Sequence, residues 1–140
     1  MAKNSGVTYV NPPSAGPAQG MYSHVARMTP GEIAFIAGQV AIDAKGTPLG
    51  VGDVAAQVPV VFDNLGKILK DLGADFESVV QFTTYLTSAD YIPAFMAERA
   101  KLFPKMFPGG KYPPNTLLMV DRLVKPEFLI EVEAIARLPG

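Results

Sequence analysis

The chain has 140 residues, 49% hydrophobic and 18% charged, with 12 Lys and Arg against 13 Asp and Glu. That describes one globular domain, residues 1–140, long enough to bury a core. It also lacks the basic excess of a phosphate-dominated nucleic-acid binder. The absence of cysteine excludes a disulfide scaffold, a thiol nucleophile and a thiolate metal site. With one histidine, His24, and no Gly-rich phosphate loop after a strand, neither a metal nor an organic cofactor is expected. Met1-Ala2-Lys3-Asn4-Ser5-Gly6 has no apolar signal segment, and no run reaches the ~18 apolar residues of a membrane span. The default expectation is a cytoplasmic protein with no membrane and no nucleic-acid partner.

In chain order, residues 8–10 read as a short strand, followed by a Pro-, Gly- and Ser-rich loop over 11–21. Residues 24–28 suit a second strand. Thr29-Pro30-Gly31-Glu32 has Pro second and Gly third, as a type II turn requires. Ile33-Ala34-Phe35-Ile36-Ala37 is nearly continuous in apolar residues, which predicts a strand buried on both faces. Val54, Val58, Val61, Phe62, Leu65, Ile68, Leu69 and Leu72 then form one apolar stripe of helical period. Asp53 suits its N-cap and Gly73 its C′ position. Pro59 conflicts with a start at Asp53, because it removes the bond to the Ala55 carbonyl, and a start nearer Val58 relieves this. Residues 79–86 are β-branched and aromatic, hence a strand. Ser88 or Asp90 caps a second helix to about Phe103, with Pro93 in its first turn. Its apolar side is Tyr91, Ile92, Phe95, Met96 and Leu102. Pro104, Pro108, Gly109 and Gly110 predict irregular chain from 103 to 111. Residues 116–120 and 128–137 are the last strands.

The order β-β-β-α-β-α-β-β predicts an α+β fold with one mixed β-sheet and two helices packed on one face. Too few helices remain to cover the other face. An oligomer is therefore expected.

Several segments, taken in order, carry a resemblance. They are Gly20-Met21-Tyr22-Ser23-His24, Phe35-Ile36-Ala37-Gly38-Gln39, Asp53-Val54-Ala55-Ala56-Gln57, Val61-Phe62-Asp63-Asn64-Leu65 and Val79-Val80-Gln81-Phe82-Thr83-Thr84-Tyr85-Leu86. Tyr112-Pro113-Pro114-Asn115-Thr116-Leu117-Leu118-Met119-Val120 and Leu129-Ile130-Glu131-Val132-Glu133-Ala134-Ile135-Ala136 complete the set. Together they resemble the Rid family (reactive intermediate deaminases, also called YjgF-like). The resemblance implies a chorismate-mutase-like fold and a homotrimer with three clefts between subunits. It also implies cofactor-free hydrolysis of enamine or imine intermediates to 2-oxo acids and ammonia.

Carried over residue by residue, the resemblance retains the N-terminal tyrosine as Tyr22 and the acid that positions the attacking water as Glu131. It places Ala37 where the family's Ser-Gly-Gln has serine, and Phe95 where the second helix has an asparagine. Asn115 stands where active deaminases carry the arginine that binds the substrate carboxylate. A bidentate guanidinium–carboxylate pair is a strong, charge-assisted contact. Losing one in a desolvated cleft costs on the order of 2–5 kcal/mol, or about 30-fold to several thousand-fold in binding. With Ala37, Phe95 and Leu117 as further wall residues, a small apolar or uncharged ligand is expected to fit better than a carboxylate.

Two function classes stay open. One is a Rid-type hydrolase of enamines, imines or related small metabolites with an altered substrate, Glu131 being the base. The other is a non-catalytic trimer that binds a small ligand or a protein. On the bland reading, Glu131 and Glu133 are solvated residues on one strand face, His24 is structural, and Tyr22 is a packing residue. Arg122 or Arg137 replaces the missing cation only if it points into the cleft. A ribonuclease role, reported for some members of the family, ranks lower because the chain has no basic track.

Overall fold

The computed structural model describes residues 4–140, so the signal-segment reading at Met1, Ala2 and Lys3 lies outside the described residues. The elements are β1 (Val7–Val10), β2 (Val25–Met28), β3 (Ile33–Gln39), α1 (Val54–Asp71), β4 (Val79–Leu86), α2 (Ile92–Met106), β5 (Asn115–Met119) and β6 (Ile130–Arg137). This is the α+β order read from the sequence. The strands are divided, however. β3, β6, β4 and β5 form the mixed sheet in that order, while β1 and β2 pair as a separate antiparallel ribbon. β6 runs antiparallel to both β3 and β4, and β4 runs parallel to β5. The ribbon is tied back by the Tyr9 hydroxyl, which donates to the Val79 carbonyl at 2.7 Å.

α1 starts at Val54, not near Val58. The Asp53 side chain accepts from Ala56 N, and that cap holds the first turn while Pro59 stays inside the helix. At the other end Gly73, at φ 75°, takes the left-handed position. Its N–H reaches the Lys70 carbonyl, and Ala74 N–H reaches the Leu69 carbonyl, the paired bonds of a Schellman motif.

α2 departs from expectation at both ends. Ser88 caps a short 3-10 turn, Ala89–Tyr91, and α2 follows that turn. The helix then runs past Phe103 to Met106 with Pro104 in its last turn. Its buried face is Phe95, Arg99 and Phe103, whereas Met96 is exposed.

Two further expectations are corrected. β3 is not buried on both faces, because Ile36 is buried while Ile33 is 44% and Phe35 78% exposed. Its apolar run reflects one face on the core and one apolar face left open. The turn at residues 29–32 is not type II, since Gly31 is not among the glycines at positive φ. Gly31 is needed for space instead: a Cβ there would lie 2.8 Å from Arg137 Nε. The Arg137 guanidinium donates to the carbonyls of Ser5, Thr29 and Pro30, clasping the N-terminal segment to the end of β6.

One sheet face packs on both helices. Its buried residues are Val79, Phe82, Thr84 and Leu86 of β4 and Ile130, Val132, Ala134 and Ala136 of β6. They meet Val58, Phe62, Leu65 and Leu69 of α1 and Phe95 and Phe103 of α2. Phe62, Phe82, Phe103 and Phe107 pack mainly edge to face at 5.3–6.4 Å between centroids, a favoured aromatic geometry. Gln57 is fully buried in this core. Its amide donates to the Gly50 and Glu127 carbonyls, and its oxygen accepts from Leu129 N, so α1 holds the chain entering β6.

Candidate functional site

Strand alternation and register assign each predicted site residue to a sheet face. Glu131 pairs with Tyr85, and Tyr85 with Leu118. All three therefore lie on the face away from the helices, as do Phe35 and Ala37. Asn115 pairs with Phe82 and Leu117 with Thr84, on the helix side. The Thr84 hydroxyl confirms this by donating to Asn115 Oδ1 at 2.8 Å. Phe95 is 1% exposed and belongs to the core. One protomer thus brings together Ala37 and Glu131, and separately Asn115 and Leu117. It does not bring the two groups to one surface.

Glu131 is half-buried on the open face, near the start of β6. The β3 register breaks between Ile36 and Gln39, and at that irregularity the Glu131 side chain lies across Gly38. A Cβ on Gly38 would sit 2.5 Å from Glu131 Oε2. Burial first, and the Glu133 charge second, push the Glu131 carboxyl above its ordinary pKa. Both effects disfavour the carboxylate and make it a stronger base. Glu133 is engaged differently, accepting a 2.6 Å hydrogen bond from the Tyr85 hydroxyl. That bond, then burial, raises the Tyr85 pKa. Beside these groups runs a groove of about 280 Å³, lined by Phe35, Ala37, Gln81, Thr83, Glu133 and Ile135 among others.

Tyr22 lies in the loop between β1 and β2. Its hydroxyl accepts from Gln19 N at 3.1 Å, and its ring meets His24 edge-on at 5.8 Å. The His24 ring donates to the Gly16 carbonyl at 2.6 Å, and its backbone N–H to Asn11 Oδ1. His24 therefore holds the loop. Tyr22 also lines a groove of about 360 Å³ with Asn11, Ser23, Lys111 and Tyr112 among others.

Neither cation considered from the sequence points to a site. Arg137 is used by three carbonyls, and Arg122 donates to the Leu123 and Val124 carbonyls. The cation that matters locally is Arg99, which sequence reasoning missed. It is 3% exposed, and its guanidinium lies over the rings of Phe95 at 5.2 Å and Phe103 at 5.8 Å. The available signal was spacing: Phe95, Arg99 and Phe103 fall four apart, one charge on a buried helical stripe. Among the described residues, no three His, Cys, Asp or Glu side chains cluster as metal ligands. No described helix is long and apolar enough to cross a membrane.

Residues 13–138 match the family model described as endoribonuclease L-PSP. A RutC family protein of Pyrococcus abyssi is 33% identical over 97% of this chain and 98% of its own length. A RutC family protein of Synechocystis is 33% identical over 75% of this chain and 78% of its own. Among solved structures, the Rid family protein YyfB of Yersinia pestis superposes with a TM-score of 0.84 at 32% identity, covering 95% of this chain and 99% of that one. The YjgF gene product of E. coli superposes with a TM-score of 0.67 at 25% identity, covering 93% and 98%. Matched along nearly its whole length, the chain belongs to the Rid/YjgF family, the endoribonuclease L-PSP family of the matching model.

Proposed function

We propose that the protein is a Rid-type hydrolase of small enamines or imines, working in clefts between the subunits of a homotrimer. The observation that carries this is Glu131, a half-buried carboxyl of raised pKa on the sheet face that the two helices leave open. In this reading an enamine first tautomerises to the imine. Glu131 takes a proton from water as the oxygen bonds to the imine carbon. That proton passes to nitrogen to give the carbinolamine, the remaining hydroxyl proton then follows it by way of Glu131, and ammonia leaves as the C–N bond breaks and the carbonyl forms. Because Ala37 and Glu131 occupy the face opposite Asn115 and Leu117, a site built from all of them needs a neighbouring subunit. Tyr22 and Leu117 are assigned to the cleft wall. Phe95 acts from behind it, through the core.

The altered substrate expected from Asn115 is part of the proposal. The side-chain oxygen of Asn115 is already bonded to Thr84, and an amide carries no charge for a carboxylate. The same observation favours the second reading, a trimer that binds a small ligand without turning it over. Glu131→Gln separates the two. Release of ammonia from freshly generated imines should fall at least 100-fold while the oligomeric mass is unchanged. An unchanged rate, or no turnover of any imine by the parent protein, would leave the binding module. The endoribonuclease in the family description is not extended to this chain, whose net charge of −1 gives RNA little to hold.

A further inference from the structure

Arg99 is buried with no acidic partner among the described residues. Burying a guanidinium is costly unless it is paired and hydrogen-bonded, and two aromatic faces offset that cost in part. Its donors are unevenly used. Nε is buried and has no hydrogen-bond partner among the described residues. Nη2 meets the Met96 thioether sulfur at 2.8 Å, a weak acceptor. Nε–H and Nη2–H form one edge of the guanidinium, the pair of parallel donors that a carboxylate accepts side-on. Phe95 and Phe103 lie against the group, and this edge is the one that carries the buried donor without a hydrogen-bond partner among the described residues.

The cover over the edge is thin. Gly20 closes it on one side: a Cβ there would stand 2.9 Å from Nη2. Met96 closes it on the other with a flexible and exposed side chain. Tyr22, two residues beyond Gly20, is close enough to influence the Arg99 charge and lines the groove with Lys111 and Tyr112. Tyr112 in turn lies 5.8 Å from Phe103, one of the rings under Arg99. Asn115 is on this same side of the sheet, paired with Phe82, whose ring is 6.0 Å from Phe103.

We propose that Arg99 is the carboxylate anchor of the cleft, supplying from α2 the guanidinium that position 115 lacks on β5. The ligand class is a small 2-imino or 2-oxo acid, whose carboxylate displaces the Met96 sulfur and pairs side-on with Nε and Nη2. The proposal rests on the reading that small metabolites bind in this cleft. It changes that reading in one respect: the charge is kept and its origin moves, so the rest of the substrate is presented from a different direction.

The test uses the full-length oligomer with 2-oxobutyrate and its uncharged amide as probes, measured by calorimetry and by the Arg99 Nε–H resonance. The parent protein should bind the acid at least tenfold more tightly than the amide, and the acid alone should shift that resonance. Arg99→Met, sized for its apolar surroundings, should remove the preference while leaving amide affinity and oligomeric mass unchanged. Arg99→Lys should restore part of it. Lys111→Met should leave it intact. A parent protein without preference, a preference that survives Arg99→Met or follows Lys111, or an Nε–H already bonded to a neighbouring subunit's carboxylate would overturn the proposal. If Arg99→Met does not fold, a resonance unmoved by saturating 2-oxobutyrate overturns it equally. Arg99-dependent acid binding without imine turnover would defeat the hydrolase reading and leave this one standing. Turnover without acid preference would do the reverse.

Discussion

Asn115 and Glu131 show how differently single residues speak from sequence and from structure. Asn115 was legible as a substitution, and its consequence was not, because the amide's bond to Thr84 depends on the parallel β4–β5 register. Asn115→Arg should lose that bond, at a cost of about 1 kcal/mol, and add a second cation on the side of the sheet where α2 already carries Arg99. It is expected to lower the melting temperature and to leave imine turnover no higher than in the parent protein. A several-fold gain in turnover would show that position 115 still reaches the carboxylate. Glu131 gives a signed pH prediction. Its folded-state pKa is raised, so the folded chain holds the proton more tightly than the unfolded one. Stability from this group is present in acid and is lost as pH rises from the ordinary carboxylate range through the raised value. Glu131→Gln should therefore melt higher than the parent at neutral pH, with the difference closing toward acid. A difference independent of pH would remove burial and the Glu133 charge as its cause. Turnover carries the opposite sign: it should rise as Glu131 ionises.

The elements divide by how local their determinants are. α1 was readable from its stripe, Asp53 and Gly73, because caps and periodicity act within a few residues. The doubt over Pro59 could not be settled from sequence, since burial of the whole stripe outweighs one lost backbone bond. β3 misled because an apolar run looks the same against a core as on an open apolar face. The missed charge on α2 has a related cause: the pattern shows that Arg99 falls on the buried stripe, not what meets it there. Two substitutions test the local account. Gly73→Ala at φ 75° should cost roughly 1–2 kcal/mol, lowering the melting temperature by about 2–8 °C. Gln57→Leu should cost on the order of 2–4 kcal/mol, because it strands the Glu127 carbonyl and the Leu129 N–H in the core. A loss under ~0.5 kcal/mol in chemical unfolding would mean that water replaces both bonds.

At the scale of the whole molecule, the uncovered sheet face is where fold and proposed chemistry meet. Two helices cover one face, and the other presents Ile33 and Phe35 of β3 and Leu118 of β5 around Glu131, Glu133 and Tyr85. The need for a cover could be read from an element count. The placement of Glu131 on that face could not, since it depends on a register set by strands distant in sequence. Phe35 is the test residue because it is the most exposed of these apolar side chains and lies outside the helix-side core. Phe35→Glu puts a third carboxylate among Glu131 and Glu133 on a surface that must be desolvated for subunits to meet. The variant should keep the helical content of the parent, because no helix-side contact changes. It should sediment at the mass of one 14.9 kDa chain, against three for the parent. Glu131-dependent turnover should disappear with the trimer, since the helix-side residues of a neighbouring subunit no longer reach the open face. A monomeric variant with full turnover would place the whole site within one protomer, and a trimeric one would place the subunit contact on another surface.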